Sequence, residues 1–166
     1  MSEFLLEIFS EEIPAKMQIN AITEGQKLLG DLLTFHGFDY NNLQAFISPR
    51  RMSFTIANLA DFTKSLTEQK RGPKINAPEA AVQGFLKANE KKQSDLTQIG
   101  DYWYAEIVTC GQPTAAVLPQ IIIQFLQKFT WAKVMRWPQS KVTWIRPIRN
   151  ILCIFNQQLI QDQTIN

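Results

Sequence analysis

The first part of the chain changes from the apolar–polar spacing of a strand to that of a helix and back again. Its opening residues are apolar at both strand phases with acidic side chains outside, which is typical of a mostly buried strand. Apolar residues then recur at close to helical spacing until Gly37, a residue type that commonly ends helices. The predicted elements are a strand over residues 3–9, a helix over 14–36, and strands over 43–47 and 52–59. They form a β-α-β-β unit over residues 1–62 that ends in an antiparallel pair.

A second unit is predicted after a polar stretch that contains glycine and proline. We interpret residues 63–76 as a linker, because these two residue types interrupt regular structure. Asn76 and Glu79 have the spacing of a helix capping box, and Gly100-Asp101 is typical of a tight hairpin turn. The predicted elements are a short helix after residue 76, strands over 96–99 and 102–110, a helix that opens at 111–114, and strands over 148–155 and 159–160. The linker is thus followed by an α+β unit over residues 77–166, truncated at its C-terminal end.

The element order predicts the fold class α+β, with two small units that contain antiparallel sheets and packed helices: β-α-β-β followed by α-β-β-α-β-β. Pro119 lies inside the clearest helical pattern, and we expect it to bend that helix or delay its start. Residues 161–166 have no terminating element after the last strand. We therefore expect the sequence to be a piece of a longer chain.

Composition excludes several classes of protein. With 45% apolar and 19% charged residues, the chain can build a core and is not a disordered tail. Two cysteines and one histidine cannot supply a disulfide framework or a four-ligand Cys/His zinc site. Polar residues interrupt the longest apolar stretch, 115–129, which excludes a membrane span. We expect a cytoplasmic protein without a membrane segment or a metal site.

The residue types that most often carry catalysis have simpler interpretations in this sequence. Glu11 and Glu12 precede a helix, and we interpret them as partners of its positive dipole end. His36 lies alone at a helix end, so we interpret it as a dipole partner or an exposed residue. Cys110 and Cys153 have apolar neighbours and no adjacent base, which favours small core residues. No glycine-rich phosphate loop is present, and we predict no catalytic residue in this chain.

Charge is distributed unevenly along the chain. Residues 1–60 carry four basic and seven acidic side chains, whereas residues 61–166 carry thirteen basic and eight acidic ones. Between residues 107 and 161 there are six basic side chains and no acidic one. Three tryptophans are interleaved with these cations: Trp131, Trp137 and Trp144. The cations therefore need acids from the N-terminal half, a partner chain or RNA.

Basic residues are the best candidates for function. Arginine fits phosphate oxygens in a bidentate manner, and a neighbouring tryptophan can stack on a base or pack below a guanidinium group. The alternative is a solvated residue or a structural ion pair, which is favoured for any single arginine. The lack of acids between residues 107 and 161 weakens that alternative in the C-terminal third. The candidate RNA-binding residues are Arg50, Arg51, Arg71, Lys133, Arg136, Arg146 and Arg149.

Five short segments, in order along nearly the whole chain, resemble those of the bacterial glycyl-tRNA synthetase β subunit family. They are Glu7-Ile8-Phe9-Ser10-Glu11-Glu12-Ile13-Pro14 (E-I-G-T-E-E-L-P in the family), Ser48-Pro49-Arg50-Arg51-Met52 (T-P-R-R-L), Gly72-Pro73 with Ala80-Ala81-Val82-Gln83-Gly84-Phe85 (G-P and A-A-x-G-F), Val134-Met135-Arg136-Trp137 (K-S-M-R-W) and Ile145-Arg146-Pro147-Ile148 (F-x-R-P-I-H-W). The chain departs from this pattern at four places. Phe9 replaces a glycine, Val134 replaces a serine, Pro138 replaces a glycine, and Arg149-Asn150 replace His-Trp.

The resemblance implies a role in protein synthesis. In the parent enzyme, ATP with Mg activates glycine as an adenylate on the α subunit, and the glycyl group passes to the 3′ end of tRNA(Gly). This chain is then expected to be the N-terminal part of the β subunit. It is expected to contribute tRNA binding and assembly with the α subunit in an α2β2 complex, and to bind no cofactor itself.

Two other functions remain open at this point. One is a protein-interaction scaffold that does not contact RNA, with its aromatic face buried against further domains. The other is a stand-alone module that binds single-stranded RNA.

Overall fold

The computed structural model describes residues 2–89, 91–136 and 142–160. Helices and antiparallel strands form both parts of the fold, which confirms the class α+β. The elements in these residues are β1 Ser2–Ser10, α1 Ala15–Phe35, β2 Tyr40–Ile47, β3 Arg51–Leu59, β4 Leu66–Lys74, α2 Glu79–Ala88, a 3-10 turn Gln93–Asp95, β5 Leu96–Ile99, β6 Tyr102–Thr109, α3 Thr114–Lys128, β7 Ile148–Phe155 and β8 Gln158–Leu159. The predicted order of helices and strands is confirmed, with strand β4 as an addition.

The chain divides into two compact units in a way that differs from the predicted domains. One unit combines residues 1–64 with residues 112–166, and the other comprises residues 65–111. The C-terminal segment joins the first unit because β7 pairs with β1. The predicted linker, 63–76, instead contains β4. The predicted boundary at residues 63–76 was therefore wrong. The sequence could not reveal this, because a pairing between distant strands leaves no local mark.

The first unit is built on a five-stranded antiparallel sheet in the order β2-β3-β1-β7-β8. Its central strand is β1, in which Phe4, Leu6 and Ile8 are buried. The alternate residues Leu5 and Phe9 are half-buried, because they point to the opposite face of the pleated strand. β1 is therefore fully buried on one face, which is less than the sequence predicted.

Helices α1 and α3 pack on the buried face of this sheet. Phe54 of β3 meets Phe125 of α3 edge to face, with 5.3 Å between the ring centroids. Helix α1 approaches so closely at Gly25 that a Cβ atom there would lie 2.7 Å from the Phe54 ring. Pro119 lies within α3, which begins at Thr114 without the predicted delay.

The predicted helix ends are partly confirmed. Helix α1 stops at Phe35, and Gly37 follows in the left-handed conformation with φ +78°. The predicted capping box of α2 is wrong, because Pro78 occupies the N-cap position and no side chain bonds to the helix end. Spacing alone does not fix the first helical residue, and Pro78 moves it past Asn76.

The second unit contains a three-stranded antiparallel sheet in the order β4-β6-β5, together with α2. The predicted hairpin is confirmed, since β5 and β6 flank a turn in which Gly100 has φ +61°. Strand β4 runs through Gly72-Pro73 because its register shifts between Arg71 and Lys74, and an irregularity of this kind tolerates proline. Gly72-Pro73, which predicted a linker, thus lies at an irregularity within a strand.

A second hairpin closes the described part of the first unit. β7 and β8 are antiparallel, and the turn residues Asn156 and Gln157 have φ values of 48° and 62°. Two successive left-handed residues are the signature of a type I′ turn, which matches the twist of the flanking strands. None of the helices in the described residues is long and apolar enough to cross a bilayer.

The packing at Gly25 predicts opposite effects for two glycine-to-alanine substitutions. Gly25→Ala forces the Phe54 ring to move, and overpacking of a closed core costs about 1–3 kcal/mol. This exceeds or cancels the gain of about 1 kcal/mol in helix propensity. Gly84 of α2 is exposed and has no atom within 4 Å of the added Cβ. Gly84→Ala is therefore expected to raise the free energy of unfolding by about 0.5–1 kcal/mol.

Urea unfolding of both variants measures these changes. A Gly25→Ala protein that is more stable than the Gly84→Ala protein would contradict the close approach of α1 to the sheet.

Candidate nucleic-acid interface

The predicted RNA-binding residues lie in three different environments. The first is an ionic cluster at one end of β1, which contains Arg50, Arg51 and Arg149 and is called here the end cluster. The second is the segment 133–146, which carries three more candidates. Arg71 belongs to the second unit, where it lies on β4.

Glu11 holds two arginines of the end cluster. Its carboxylate accepts from Arg50 Nη2 at 2.6 Å and from Arg149 Nε at 2.7 Å. Arg50 lies in the turn between β2 and β3, where the Ser48 and Arg51 backbones bond to each other. Arg149 lies near the start of β7, where the register of the β1–β7 pair shifts. One carboxylate therefore ties together three strands that are far apart in sequence.

Phe9 and Glu7 complete the end cluster. Phe9 is paired with Arg51 in register, and the Arg51 guanidinium carbon lies 5.2 Å from its ring centroid. Arg51 Nε also lies 3.5 Å from the Glu7 carboxylate. Three arginines thus share two carboxylates, although each arginine side chain is more than half exposed. The three arginines therefore form structural ion pairs, which is the alternative to RNA contact given for such residues in the sequence analysis.

The two arginines change the titration of Glu11. Hydrogen bonds from Arg149 and then Arg50 stabilise the carboxylate and lower the pKa of Glu11 below its ordinary value of 4.5. Glu11 is bound by these two arginines rather than by the helix end, and the first turn of α1 itself contains no acidic residue. The dipole role of Glu12 stays a prediction. Residues 11–14 run past the sheet before the helix begins, which brings Glu11 to the arginines instead.

The segment 133–146 presents cations without acidic partners. Lys133 and Arg136 are exposed, and Arg146 donates to the Ile145 carbonyl at 3.3 Å and towards Met135 Sδ at 3.8 Å. Among the residues that the structure describes, no carboxylate lies within the 4.0 Å ion-pair distance of these three side chains. Lys141 lies outside the described residues.

Two of the three tryptophans belong to the core. Trp144 is fully buried, with its ring centroid 5.0 Å from Phe129 and 5.2 Å from Trp131. Trp131 is half-buried and lies 4.8 Å from Phe129. The Trp144 ring is not available to stack on a base, so that part of the RNA hypothesis is wrong for Trp144. For the half-buried Trp131 it stays a prediction. Trp137 lies outside the described residues.

The buried Trp144 is bonded to Met135, next to one of the exposed cations. Its carbonyl accepts a hydrogen bond from the Met135 N–H at 2.8 Å, and the two residues form a short antiparallel bridge. The tryptophan side chain points into the core, whereas the neighbouring Arg136 stays exposed. Trp144 therefore anchors Met135 to the core, while Arg136 next to Met135 is exposed.

Arg71 has an aromatic neighbour that the sequence analysis did not single out. Its guanidinium carbon lies 3.5 Å from the ring centroid of Tyr102, and Lys74 Nζ lies 5.8 Å from the same ring. The signal for this contact was the run Tyr102-Trp103-Tyr104, which places two tyrosines on one face of a strand.

The remaining candidates have structural surroundings. His36 Nε2 lies 3.2 Å from Gln124 Oε1, and its ring meets Phe35 edge to face. Cys153 is buried as predicted, but Cys110 is exposed, which contradicts its prediction as a core residue. Cys110 lies just after the last residue of β6, outside the strand. Within the described residues, no group of three or more His, Cys, Asp or Glu side chains is placed to hold a metal ion.

The lowered pKa of Glu11 predicts a pH-dependent contribution to stability. A depressed carboxyl pKa stabilises the fold fully above the unfolded pKa, and this stabilisation is lost as the pH falls through the folded pKa. Glu11→Gln is therefore expected to lower the melting temperature near neutral pH, and its difference from the wild type should shrink towards zero in acid.

Glu12→Gln is the matched control, because Glu12 is exposed and has no ion pair among the described residues. Melting temperatures between about pH 7 and pH 3 check this expectation. Equal pH profiles for the two variants would contradict the bridging role of Glu11.

The two cysteines are expected to differ in thiol reactivity. Burial raises the pKa of Cys153 from 9.0 to about 12, which lowers its thiolate fraction about a thousandfold at mildly alkaline pH. A thiol reagent should therefore modify one cysteine in the native protein and two after unfolding. Cys110→Ser should abolish the native reaction, and Cys153→Ser should leave it unchanged. A fast native reaction in Cys110→Ser would show that β7 is not packed as described.

The sequence also matches a known protein family. The family model of the glycyl-tRNA synthetase β subunit matches residues 4–166. The glycine–tRNA ligase β subunit of Rickettsia felis is 41% identical over 167 residues, which is 98% of this chain and 25% of that protein. The corresponding subunit of Rickettsia conorii is 40% identical, with the same coverage. That of Dinoroseobacter shibae is 35% identical over 162 residues, which is 95% of this chain and 22% of that protein.

The chain spans about a quarter of the length of the curated relatives that it matches. The family model, in contrast, covers nearly every residue of the chain, including the segments that carry the end cluster and the cations of 133–146. The resemblance inferred from five short segments is therefore confirmed, and the chain belongs to the glycyl-tRNA synthetase β subunit family.

Proposed function

We propose that this chain is the N-terminal part of the β subunit of a cytoplasmic glycine–tRNA ligase. It contributes tRNA binding and assembly with the α subunit in an α2β2 enzyme. The α subunit uses ATP with Mg to activate glycine, and no residue of this chain is assigned to that chemistry. The family match and the cations Lys133, Arg136 and Arg146 support this proposal.

The observation that carries the tRNA contact is the unpaired charge of that segment. An exposed cation that already has a carboxylate partner gains little from a phosphate, because the ion pair must first be separated. Lys133, Arg136 and Arg146 have no such partner among the described residues. Their positive charge is therefore available to the tRNA backbone, and contacts of this kind dominate the affinity of nucleic-acid complexes.

A different role is proposed for the three arginines of the end cluster. Glu11 bridges Arg50 and Arg149, and Glu7 faces Arg51, so these side chains hold strand ends together. We assign them to the structure of the first unit rather than to the principal RNA contact. Their shared excess of one positive charge still favours an acidic partner nearby.

Substitution of Arg136 and Arg146 by alanine in the assembled parent enzyme tests the tRNA contact. We expect weaker tRNA binding and a smaller slope of log affinity against log salt, by about 0.7–0.9 for each phosphate contact that is lost. Binding is measured at several salt concentrations with unmodified tRNA.

Arg149→Ala is the matched control. It removes one positive charge close in sequence to Arg146, but Glu11 keeps Arg50 as its partner, so no buried charge is left unpaired. We expect the tRNA affinity and salt slope to stay close to the wild-type values, with a slightly lower melting temperature. If Arg149→Ala weakens tRNA binding as much as Arg136→Ala does, Arg149 also contacts tRNA. The structural role assigned to it because of its ion pair with Glu11 would then be wrong. Unchanged affinity and slope in Arg136→Ala and Arg146→Ala would overturn the tRNA contact itself.

A protein-interaction scaffold is the second candidate function. One observation favours it: the sheet face opposite α1 and α3 carries half-buried or exposed apolar side chains, including Leu5, Phe46 and Leu152. A groove of about 420 Å³ lies on this face, lined in part by Leu5, Thr55 and Ile154. In this case, Phe46→Asp would disrupt assembly of the enzyme while the arginine variants above leave tRNA affinity unchanged.

A further inference from the structure

The second unit has one covered and one uncovered sheet face. Helix α2 lies on the face that contains Lys70, because Lys70 Nζ donates to Asn89 Oδ1 at the end of that helix. Phe85 of α2 packs against Gly72, where an added Cβ would lie 2.8 Å from the ring. Ala105, the register partner of Lys70, is fully buried. No helix of this unit, in its described residues, covers the opposite face.

The uncovered face combines tyrosines with cations. The alternation of β6 places Tyr102 and Tyr104 on the face opposite Ala105. Pairing with β4 places Arg71 beside Tyr104 and Lys74 beside Tyr102. Both cations are exposed, and both tyrosines are half-buried. This set of four residues, Arg71, Lys74, Tyr102 and Tyr104, is called here the tyrosine face.

Arg71 is stacked on an aromatic ring rather than bound to an acid. Its guanidinium carbon lies 3.5 Å from the Tyr102 centroid, which is a close cation–π contact. Glu106 shares this face, opposite Gln69, but no carboxylate among the described residues forms an ion pair with Arg71. The stacked guanidinium keeps its N–H groups and its outer surface available to a ligand.

This chemistry matches single-stranded RNA better than a duplex. Exposed bases of a single strand stack on aromatic rings and guanidinium planes, while cations contact the phosphates. Two tyrosines spaced by two residues along a strand are about 7 Å apart, so each ring has room for its own base. A duplex keeps its bases stacked internally and offers neither tyrosine a free base.

We propose that the tyrosine face is a stacking platform for single-stranded RNA. Tyr104, and the guanidinium of Arg71 on Tyr102, hold successive bases, and Lys74 contacts a phosphate. The identity of the RNA as an unpaired part of a tRNA rests on the proposed function. The platform itself is tested with a short RNA of mixed sequence that contains no duplex.

The first test compares neighbouring cations on opposite faces of β4. In the assembled parent enzyme, Arg71→Ala is expected to weaken binding of a single-stranded RNA hexamer at least about fivefold. Lys74→Ala removes the phosphate contact and is expected to lower the salt slope by about 0.7. Lys70→Ala removes the same charge one residue before Arg71, on the face covered by α2, and should leave both quantities unchanged. An equal loss in Arg71→Ala and Lys70→Ala would indicate a general charge effect and would overturn the platform.

The second test separates stacking from folding. Tyr104→Leu keeps an apolar side chain but removes the ring, and it should weaken hexamer binding about fivefold or more. Tyr104→Phe restores the ring without the hydroxyl group and should restore the affinity. Circular dichroism confirms that both variants are folded. Wild-type hexamer affinity in Tyr104→Leu would overturn the proposal, as would loss of α-subunit assembly with unchanged RNA binding, which would make this face a protein interface.

The outcomes remain distinct from those of the proposed tRNA contact. If hexamer binding depends on Arg71 and Tyr104, the platform is supported. If tRNA affinity is at the same time insensitive to substitution of Arg136 and Arg146, the tRNA contact through residues 133–146 is overturned. The reverse pattern overturns the platform alone.

Discussion

The pairing of β7 with β1 is the interaction on which the rest of the structure depends. β1 is the central strand of the first sheet and needs a hydrogen-bonded neighbour on both edges, because its backbone is buried there. β3 supplies one edge from nearby in sequence, and β7 supplies the other from more than a hundred residues away. This closure makes residues 65–111 an insertion between two parts of one unit. It also carries Arg149 to Glu11, so that the ionic end cluster is a consequence of strand pairing.

Much of the local structure could be predicted from the sequence, because it depends on neighbouring residues. The period of apolar side chains located α1 and α3, and glycine marked the end of α1 and the β5–β6 turn. The local residue types led to a wrong prediction where contacts between distant residues determine the structure. Gly72 permits close packing of Phe85 within a strand, although glycine followed by proline is typical of a loop. The partner of β1 could not be predicted, since alternating strands offer many equivalent pairings.

The sequence predicted which types of residue form the candidate site better than it predicted what each residue does there. Clusters of arginine and tryptophan indicated a basic aromatic surface, but the sequence does not show which tryptophan ring is buried in the core. Trp144 is large and apolar enough to fill the core beside Phe129, so its burial is favoured over exposure to solvent. The cations next to it remain outside, because an unpaired charge is costly to bury. In the described part of this segment, the Trp144 ring is thus buried while Lys133 and Arg136 are exposed.

Whether an arginine has an acidic neighbour determines what it can contribute. Arg149 donates to the Glu11 carboxylate and lowers the pKa of that carboxyl, so the charge of this arginine is partly compensated. Arg71 meets the face of a phenol ring, which orients the guanidinium without neutralising it. Arg146 meets a backbone carbonyl and a thioether, which fix its position and leave its full charge. Since phosphate recognition requires a cation that is both oriented and uncompensated, the second and third environments suit it and the first does not. The same residue type therefore holds strand ends together at one end of β1 and is proposed to contact RNA elsewhere, and the distribution of acids in the sequence separates these two environments.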